Sequence, residues 1–415
     1  MYSWWRAPAE ETAFDRVIGL HVREHPDVEI DNLADWRAPT QRDSVAARIL
    51  AGAGPSTFQA NIGADLLRWT VVDTENADVP SRNHLEDLSP LLRETGLTEQ
   101  LPAPLLDALG VDGRGAYAVP INIHRANVLY YRADKLAEFR AKHQNKSFLD
   151  LATLCPGGSD APPLDLKIAI GAEEEYPLVL LAFENLLPAL TNGAFYRSVF
   201  EGSAMGDYTV EVRKALDCAR FLSRHSLGGE SASGWFAAVE AVQKGFAAFT
   251  VVGDWASGVF VNELNSGEVI AVPFPGSEET FVFTSDTFPL LIGVEHREEV
   301  LEFLRTIAGT TAQSTFSTVK GSIPARNDAN MGVIEAASQI RREDFLASEQ
   351  VLATSGFFPP YYPQGQLGQA LQDMVAPDAG PDRIDAVVNE IVDAQPLFSS
   401  WQRRLREGAS APATP

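Results

Sequence analysis

The amino-terminal stretch reads strand, helix, strand, helix, strand, and this succession limits the fold more than any other feature of the chain. Residues 1–5 (MYSWW) are short and aromatic, and Pro8 marks a turn. From Glu10 onward Phe14, Val17, Ile18 and Val22 fall on one helical face, and the pattern stops before His25-Pro26. Residues 28–30 alternate as a strand does, a helix follows with Val45, Ile49 and Leu50 inward, and 57–59 is a further strand. Such an order predicts an α/β fold with a largely parallel sheet. With 415 residues, 45% of them hydrophobic, the chain can bury cores for two or three domains.

The pattern recurs downstream. Residues 117–123 and 127–131 are β-rich, 167–171 is a strand, and a helix is expected over 176–187. Helical spacing covers 210–225 and 231–245, the second closing at Gly245. Residues 247–252 form a buried strand, 281–288 alternates again, 297–308 is helical, and helices dominate from Met331 onward. The small, polar tail 408–415 is expected to be disordered.

A formal net charge of -23 without a basic cluster argues against nucleic acid and against anionic membranes as partners. No apolar stretch approaches the roughly 18 residues of a membrane span. The first residues show no basic segment followed by an apolar one, so either the protein is cytoplasmic or a leader lies outside this sequence. Cys155 and Cys218 form no CxxC pair and no Cys/His cluster, so a zinc site is not expected. The plain reading of each is a buried free thiol; an oxidising compartment would allow a disulfide between them. The signatures GxSxG, P-loop, GxGxxG after a strand and HExxH are all missing, and no cofactor or metal is expected.

Several polar and aromatic residues sit where strands should end, the place at which open α/β sheets collect ligands. Trp4 and Trp5 could stack on the apolar face of a pyranose, and alternation allows one of them a core role. Glu10 could accept from hydroxyls or simply complement a helix dipole. Gln59 and Asn61 carry amides that both donate and accept. Asn122, His124, Arg125 and Asn127 interrupt two β-rich runs, which suggests a site or a crossover between domains. Trp255 follows a buried strand and a Gly-Asp turn, Asp286 lies inside an apolar strand, and Lys320 precedes Gly321-Ser322. Core packing, loop chemistry and structural pairing are the ordinary alternatives for each.

Four blocks resemble family 1 extracellular solute-binding proteins, the sugar receptors of ABC importers. They are YSWWRAPAEETAFDRVIGLHVREHPDVEI, YAVPINIHRANVLYYRADKL, GWFAAVEAVQKGFAAFTVVGDWASGVF and VKGSIPARND, and in order and spacing they span nearly the whole chain. Within that family the chain looks most like the glucose/mannose-binding branch. The resemblance implies that Trp4, Trp5, Glu10, Gln59, Trp255, Asp286 and Lys320 contact the sugar. Three positions depart from the branch: Asn61 stands where it often has His, Tyr176 where it often has Trp, and Ser355 to Phe358 replace a His-containing loop. These departures leave the sugar open.

The resemblance implies a two-lobed, type II periplasmic-binding-protein-like fold whose lobes join at a hinge and close on ligand in the cleft between them. The expected lobes are 1–115 with 260–308, and 116–259 with 309–407. The expected ligand residues are Trp4, Trp5, Glu10, Gln59, Asn61, Asn122, His124, Tyr176, Trp255, Asp286 and Lys320. The expected function is that of a monomeric, non-enzymatic receptor of a neutral mono- or small oligosaccharide, partnered by a membrane permease and not itself inserted in the membrane. It would work in the periplasm or outside the cell, with a lipid anchor beyond this sequence as one means of retention. A carbohydrate-sensing module and a glycosidase are the alternatives.

Overall fold

The computed structural model describes residues 1–34, 44–49, 51–67, 69, 83–109, 116–157, 164–193, 195–196, 199, 209–229, 233–354 and 366–393. Among these, the strands are β1 (Tyr2–Ser3), β2 (Leu33–Ala34), β3 (Ala60–Asn61), β4 (Ala118–Pro120), β5 (Asn122–Arg125) and β6 (Val128–Arg132). There follow β7 (Phe249–Val251), β8 (Val269–Pro273), β9 (Thr280–Thr284), β10 (Asp286–Pro289), β11 (Ile323–Pro324) and β12 (Gln350–Ala353).

One relationship organises them. The chain runs outward through β4, β5 and β6 and returns through β8, β9 and β10. Each outgoing strand pairs antiparallel with a returning one: β6 with β8, β5 with β9 and β4 with β10. β3 adds to β10, β11 to β5 and β7 to β6, also antiparallel, whereas β12 joins β9 and β1 joins β2 in parallel. The expectation of a largely parallel sheet is therefore corrected. The early strand–helix alternation is real, but the outgoing and returning limbs supply most of the ladder, and limbs running in opposite directions pair antiparallel.

Local boundaries follow the apolar pattern closely where it is strong. The Thr209–Arg224 helix buries Val212, Ala215, Leu216, Ala219 and Leu222 on one face. The helix expected over 231–245 is Trp235–Gln243, and Arg297–Ala308 is helical as read. The strand expected at 28–30 lies instead at Leu33–Ala34, because Met1 and Tyr2 select it as partner: the Leu33 N–H donates to Met1 O at 3.0 Å. The alternating run 281–288 breaks at Ser285 into β9 and β10.

Two large apolar cores and a smaller one result. The first gathers Trp5, Phe14, Phe58, Leu92, Val119, Phe288, Leu304, Phe316 and Phe345. The second gathers Leu129, Phe148, Leu178, Phe183, Leu216, Phe249, Phe274, Leu352 and Leu371. The third, around Tyr130, Val239, Trp255, Phe260 and Val269, covers the other face of the β7–β6–β8 sheet. The cores divide the chain differently from the expected 1–115 with 260–308 and 116–259 with 309–407. Ala312, Phe316, Ile323 and Ala325 pack in the first core, and Phe260, Val269 and Phe274 pack in the second and third. The Thr310–Lys320 helix lies against the Pro8–Glu24 helix, which draws it to the first core.

Cys155 and Cys218 are joined by a disulfide, with Cα atoms 5.1 Å apart, so the free-thiol reading is corrected. It ties the end of the Leu151–Leu154 helix to the Thr209–Arg224 helix beside the second core. Among the described residues no helix is long and apolar enough to cross a membrane. The tail 408–415 and the loop at Ser355 to Phe358 lie outside the described residues.

Candidate binding site

The outgoing limb carries Asn122 and His124 on β5, and the return limb brings Asp286 beside them at the start of β10. Asp286 is buried. Gln59 Nε2 donates to its Oδ1 at 2.7 Å and Asn122 Nδ2 to its Oδ2 at 2.8 Å, while the Asp286 N–H donates to Asn122 Oδ1 at 2.9 Å. Gln59 Oε1 accepts the Trp4 N–H at 3.0 Å. Burial pushes the Asp286 carboxyl upward, but the hydrogen bond and charge of His124, the charge of Lys320 and the Asn122 amide outweigh it and hold its pKa below the usual carboxylate value. Asn61, half-buried, is the register partner of Asp286 across β3 and β10, and its N–H donates to Asp65 Oδ2 at 2.9 Å.

His124 joins this group to the segment after β7. Its Nδ1 contacts Asp254 Oδ1, and its Nε2 stands 2.9 Å from Asn122 Nδ2 and 3.5 Å from Asp286 Oδ2. With the proton on Nδ1 alone, Nε2 accepts from Asn122; in the charged ring Nε2 donates toward Asp286. Burial lowers the His124 pKa, and Asp254 and Asp286 more than offset it, so the balance lies above the usual histidine value. Asp254, fully buried, also accepts the Arg125 N–H at 3.0 Å and lies 3.2 Å from Arg341 Nε.

Trp255 is placed by a requirement of space. A Cβ built on Gly253 would lie 2.0 Å from the Trp255 ring, so only glycine lets the indole fold back over that backbone. The ring meets His124 edge-on at 5.8 Å between centroids and lies 6.1 Å from Tyr176 at an interplanar angle of 40°. Trp255 is 9% exposed and Tyr176 45%, so this aromatic pair runs from interior to solvent. Tyr176 lies in the first turn of the Glu175–Val179 helix, which continues as a π-helix over Leu180–Leu186.

Glu10 and Lys320 are both buried and meet at 2.5 Å. Glu10 also accepts the Ala7 N–H at 3.3 Å, which caps the start of its own helix, and pairs Lys320 as well. Trp5 takes the core role: it is 2% exposed and packs on Phe14, Phe288 and Phe316 with centroids 4.8–5.8 Å away. Trp4 is the half-buried member of the pair.

Gln59, Asn122, His124 and Asp286 thus form one bonded group, Trp255 and Tyr176 attach to it through His124, and Glu10 with Lys320 form a second pair. Reading the sequence for single residues missed Asp254 and Arg341. Asp254 lies inside the Gly-Asp-Trp block and could have been found there. Arg341 sits in a polar helix with no local signal. Among the described residues no group of three or more His, Cys, Asp or Glu is placed to hold a metal ion.

A two-lobed α/β fold with buried polar and aromatic groups gathered where the chain crosses between its cores is that of a periplasmic-type binding protein, and solved structures agree. A chitin oligosaccharide binding protein superposes with a TM-score of 0.75 over 96% of this chain and 98% of its own, at 14% identity. The sequence profile of the bacterial extracellular solute-binding protein family matches residues 39–341, and the chain belongs to that family. An uncharacterised ABC transporter extracellular-binding protein of Pyrococcus horikoshii is 26% identical over 402 residues, 95% of this chain and 86% of the relative. A probable sugar-binding periplasmic protein of Mesorhizobium japonicum is 25% identical over 334 residues, 79% and 76% of the two chains. These relatives and structural neighbours are substrate-binding proteins, not enzymes.

Proposed function

We propose that the protein is the extracytoplasmic receptor of an ABC-type sugar importer, binding a neutral mono- or small oligosaccharide and delivering it to a membrane permease. The observation that carries this reading is Asp286, a buried carboxylate held by two amides and an imidazole, joined through His124 to the Trp255–Tyr176 aromatic pair. A carboxylate oxygen accepts more than one hydrogen bond, so Asp286 keeps capacity for sugar hydroxyls. The aromatic faces suit the apolar C–H face of a pyranose. Trp4, Glu10, Gln59, Asn61, Asn122, His124, Tyr176, Trp255, Asp286 and Lys320 make up the proposed ligand set; Trp5 supports it from the core.

The first core and the second and third cores together are the proposed lobes. Closure about the paired limbs would exclude water and strengthen each polar contact with ligand. The sugar-binding designation of the Mesorhizobium relative supports the substrate class, and the disulfide supports an oxidising, extracytoplasmic site of action. The test is a thermal-shift and calorimetric panel of mono- and disaccharides. A ligand present at 100 times its dissociation constant should add about 2.7 kcal/mol of stability. Absence of any shift across the panel, or release of hydrolysis products, would defeat the proposal.

A further inference from the structure

Arg341 lies on the Ala336–Ala347 helix, buried, and is absent from the proposed ligand set. Its guanidinium reaches two parts of the site that are far apart in sequence. Nε stands 3.2 Å from Asp254 Oδ2, in the residue before Trp255, a charge contact without hydrogen-bond geometry. Nη2 donates to Gly321 O at 2.7 Å, in the residue after Lys320. Two further contacts fix the group from its own helix: Ser338 Oγ accepts from Nη2 at 2.7 Å and Glu335 Oε1 lies 3.3 Å away.

The two parts it touches are in direct contact. A Cβ on Gly258 would lie 2.8 Å from Ala9 Cβ and 3.4 Å from Lys320 O, and one on Gly321 would lie 3.1 Å from Ser257 Cβ. The turn that presents Trp255, the helix end that presents Lys320 and the helix start that presents Glu10 therefore share one packed junction. A planar fork with several donors in fixed directions can set the geometry of such a junction, whereas a lysine has one compact charge and a flexible stem.

We infer that Arg341 is a positioning residue for ligand binding, acting through Asp254 and Gly321 to set Trp255 relative to Lys320. This rests on the reading of the site as a sugar site. It predicts a coupling that a merely structural arginine would not show: loss of the fork should matter through Trp255 and not through Trp4, whose backbone is held separately by Gln59.

The experiment measures dissociation constants calorimetrically, with whichever of glucose, galactose, mannose, xylose, maltose and diacetylchitobiose raises the wild-type melting temperature most. Arg341→Lys should weaken binding at least tenfold in the wild-type and Trp4→Phe backgrounds, and less than threefold in Trp255→Phe. An equal loss in all three backgrounds, or no loss in any, overturns the inference. Ser338→Ala, which keeps the Arg341 charge and removes the hydrogen bonds of Ser338 Oγ to Arg341 and Glu335, carries the same comparison if Arg341→Lys does not fold, with a threefold loss expected outside the Trp255→Phe background. A wild-type protein that binds none of the panel overturns the sugar reading instead, before any variant is compared.

Discussion

Asn122 and Asp286 hold each other twice: the Asn122 amide oxygen accepts the Asp286 backbone N–H, and the same amide's nitrogen donates to the Asp286 carboxylate. The residues are 164 positions apart, and the two bonds fix both the start of β10 and the direction of its first side chain. The carboxylate is thus structural as well as a member of the proposed ligand set, and removing it should be felt in both ways.

Asp286→Ala should lower sugar affinity more than tenfold and also lower the melting temperature of the unliganded protein. It leaves Gln59 and Asn122 donors buried without their acceptor, at a cost of about 1–3 kcal/mol. Calorimetry and thermal denaturation on one variant check both halves. A normal apo melting temperature would show that these amides find other partners.

The raised His124 pKa gives a signed pH dependence. The group binds its proton more tightly folded than unfolded, so its contribution is full below the unfolded value of about 6.5 and is lost as pH rises through the folded value. Asp254 and Asp286 face the ring and favour its charge; Lys320 opposes it. Wild type should therefore lose stability relative to His124→Gln as pH rises past the unfolded value of about 6.5, measured as melting temperature against pH. Parallel curves for the two proteins would remove His124 as the cause.

The tryptophan pair should separate by readout. Trp5→Ala opens a hole among Phe14, Phe288 and Phe316 and should cost about 3–5 kcal/mol of stability. Trp4→Ala should leave folding nearly intact and weaken sugar binding. Chemical denaturation beside calorimetry distinguishes them; a Trp4 variant with unchanged affinity would withdraw that residue from the site.

Reduction of the Cys155–Cys218 bond, or Cys218→Ser with Cys155→Ser, should destabilise the protein without changing sugar affinity. The bond closes a loop across a sequence separation of 63, for which chain entropy alone gives about 4 kcal/mol. Thiol titration of the denatured, unreduced protein should find no free cysteine. Two titratable thiols would contradict the bond.

The parts of this architecture written in local pattern were legible. The Arg297–Ala308 helix could be read from spacing alone, as could the placement of Trp255 after a Gly-Asp turn. The antiparallel ladder was not, because strand direction depends on which distant segment lies alongside, and β5 with β9 carries no local mark of that pairing. The same reason hid Arg341, whose role needs Asp254 and Gly321 brought to it by the fold. Gln59 was visible as a polar residue at a strand end, Asn122 in a polar interruption between β-rich runs and Asp286 inside an apolar strand, but their mutual bonds were not. The cysteines were ambiguous for a related reason, since only the fold says whether two thiols meet.

The position of β10 between β3 and β4 sets an order in time. Residues 286–289 are the shared neighbour through which β3 and β4 belong to one sheet. A chain still being made has both of those strands long before it has the strand that joins them. The amino-terminal core can finish only after the return limb has emerged, and pairings of such sequence separation form slowly. Early collapse into a finished amino-terminal half is thereby disfavoured, and the two strands that β10 joins wait for it through the making of everything between them.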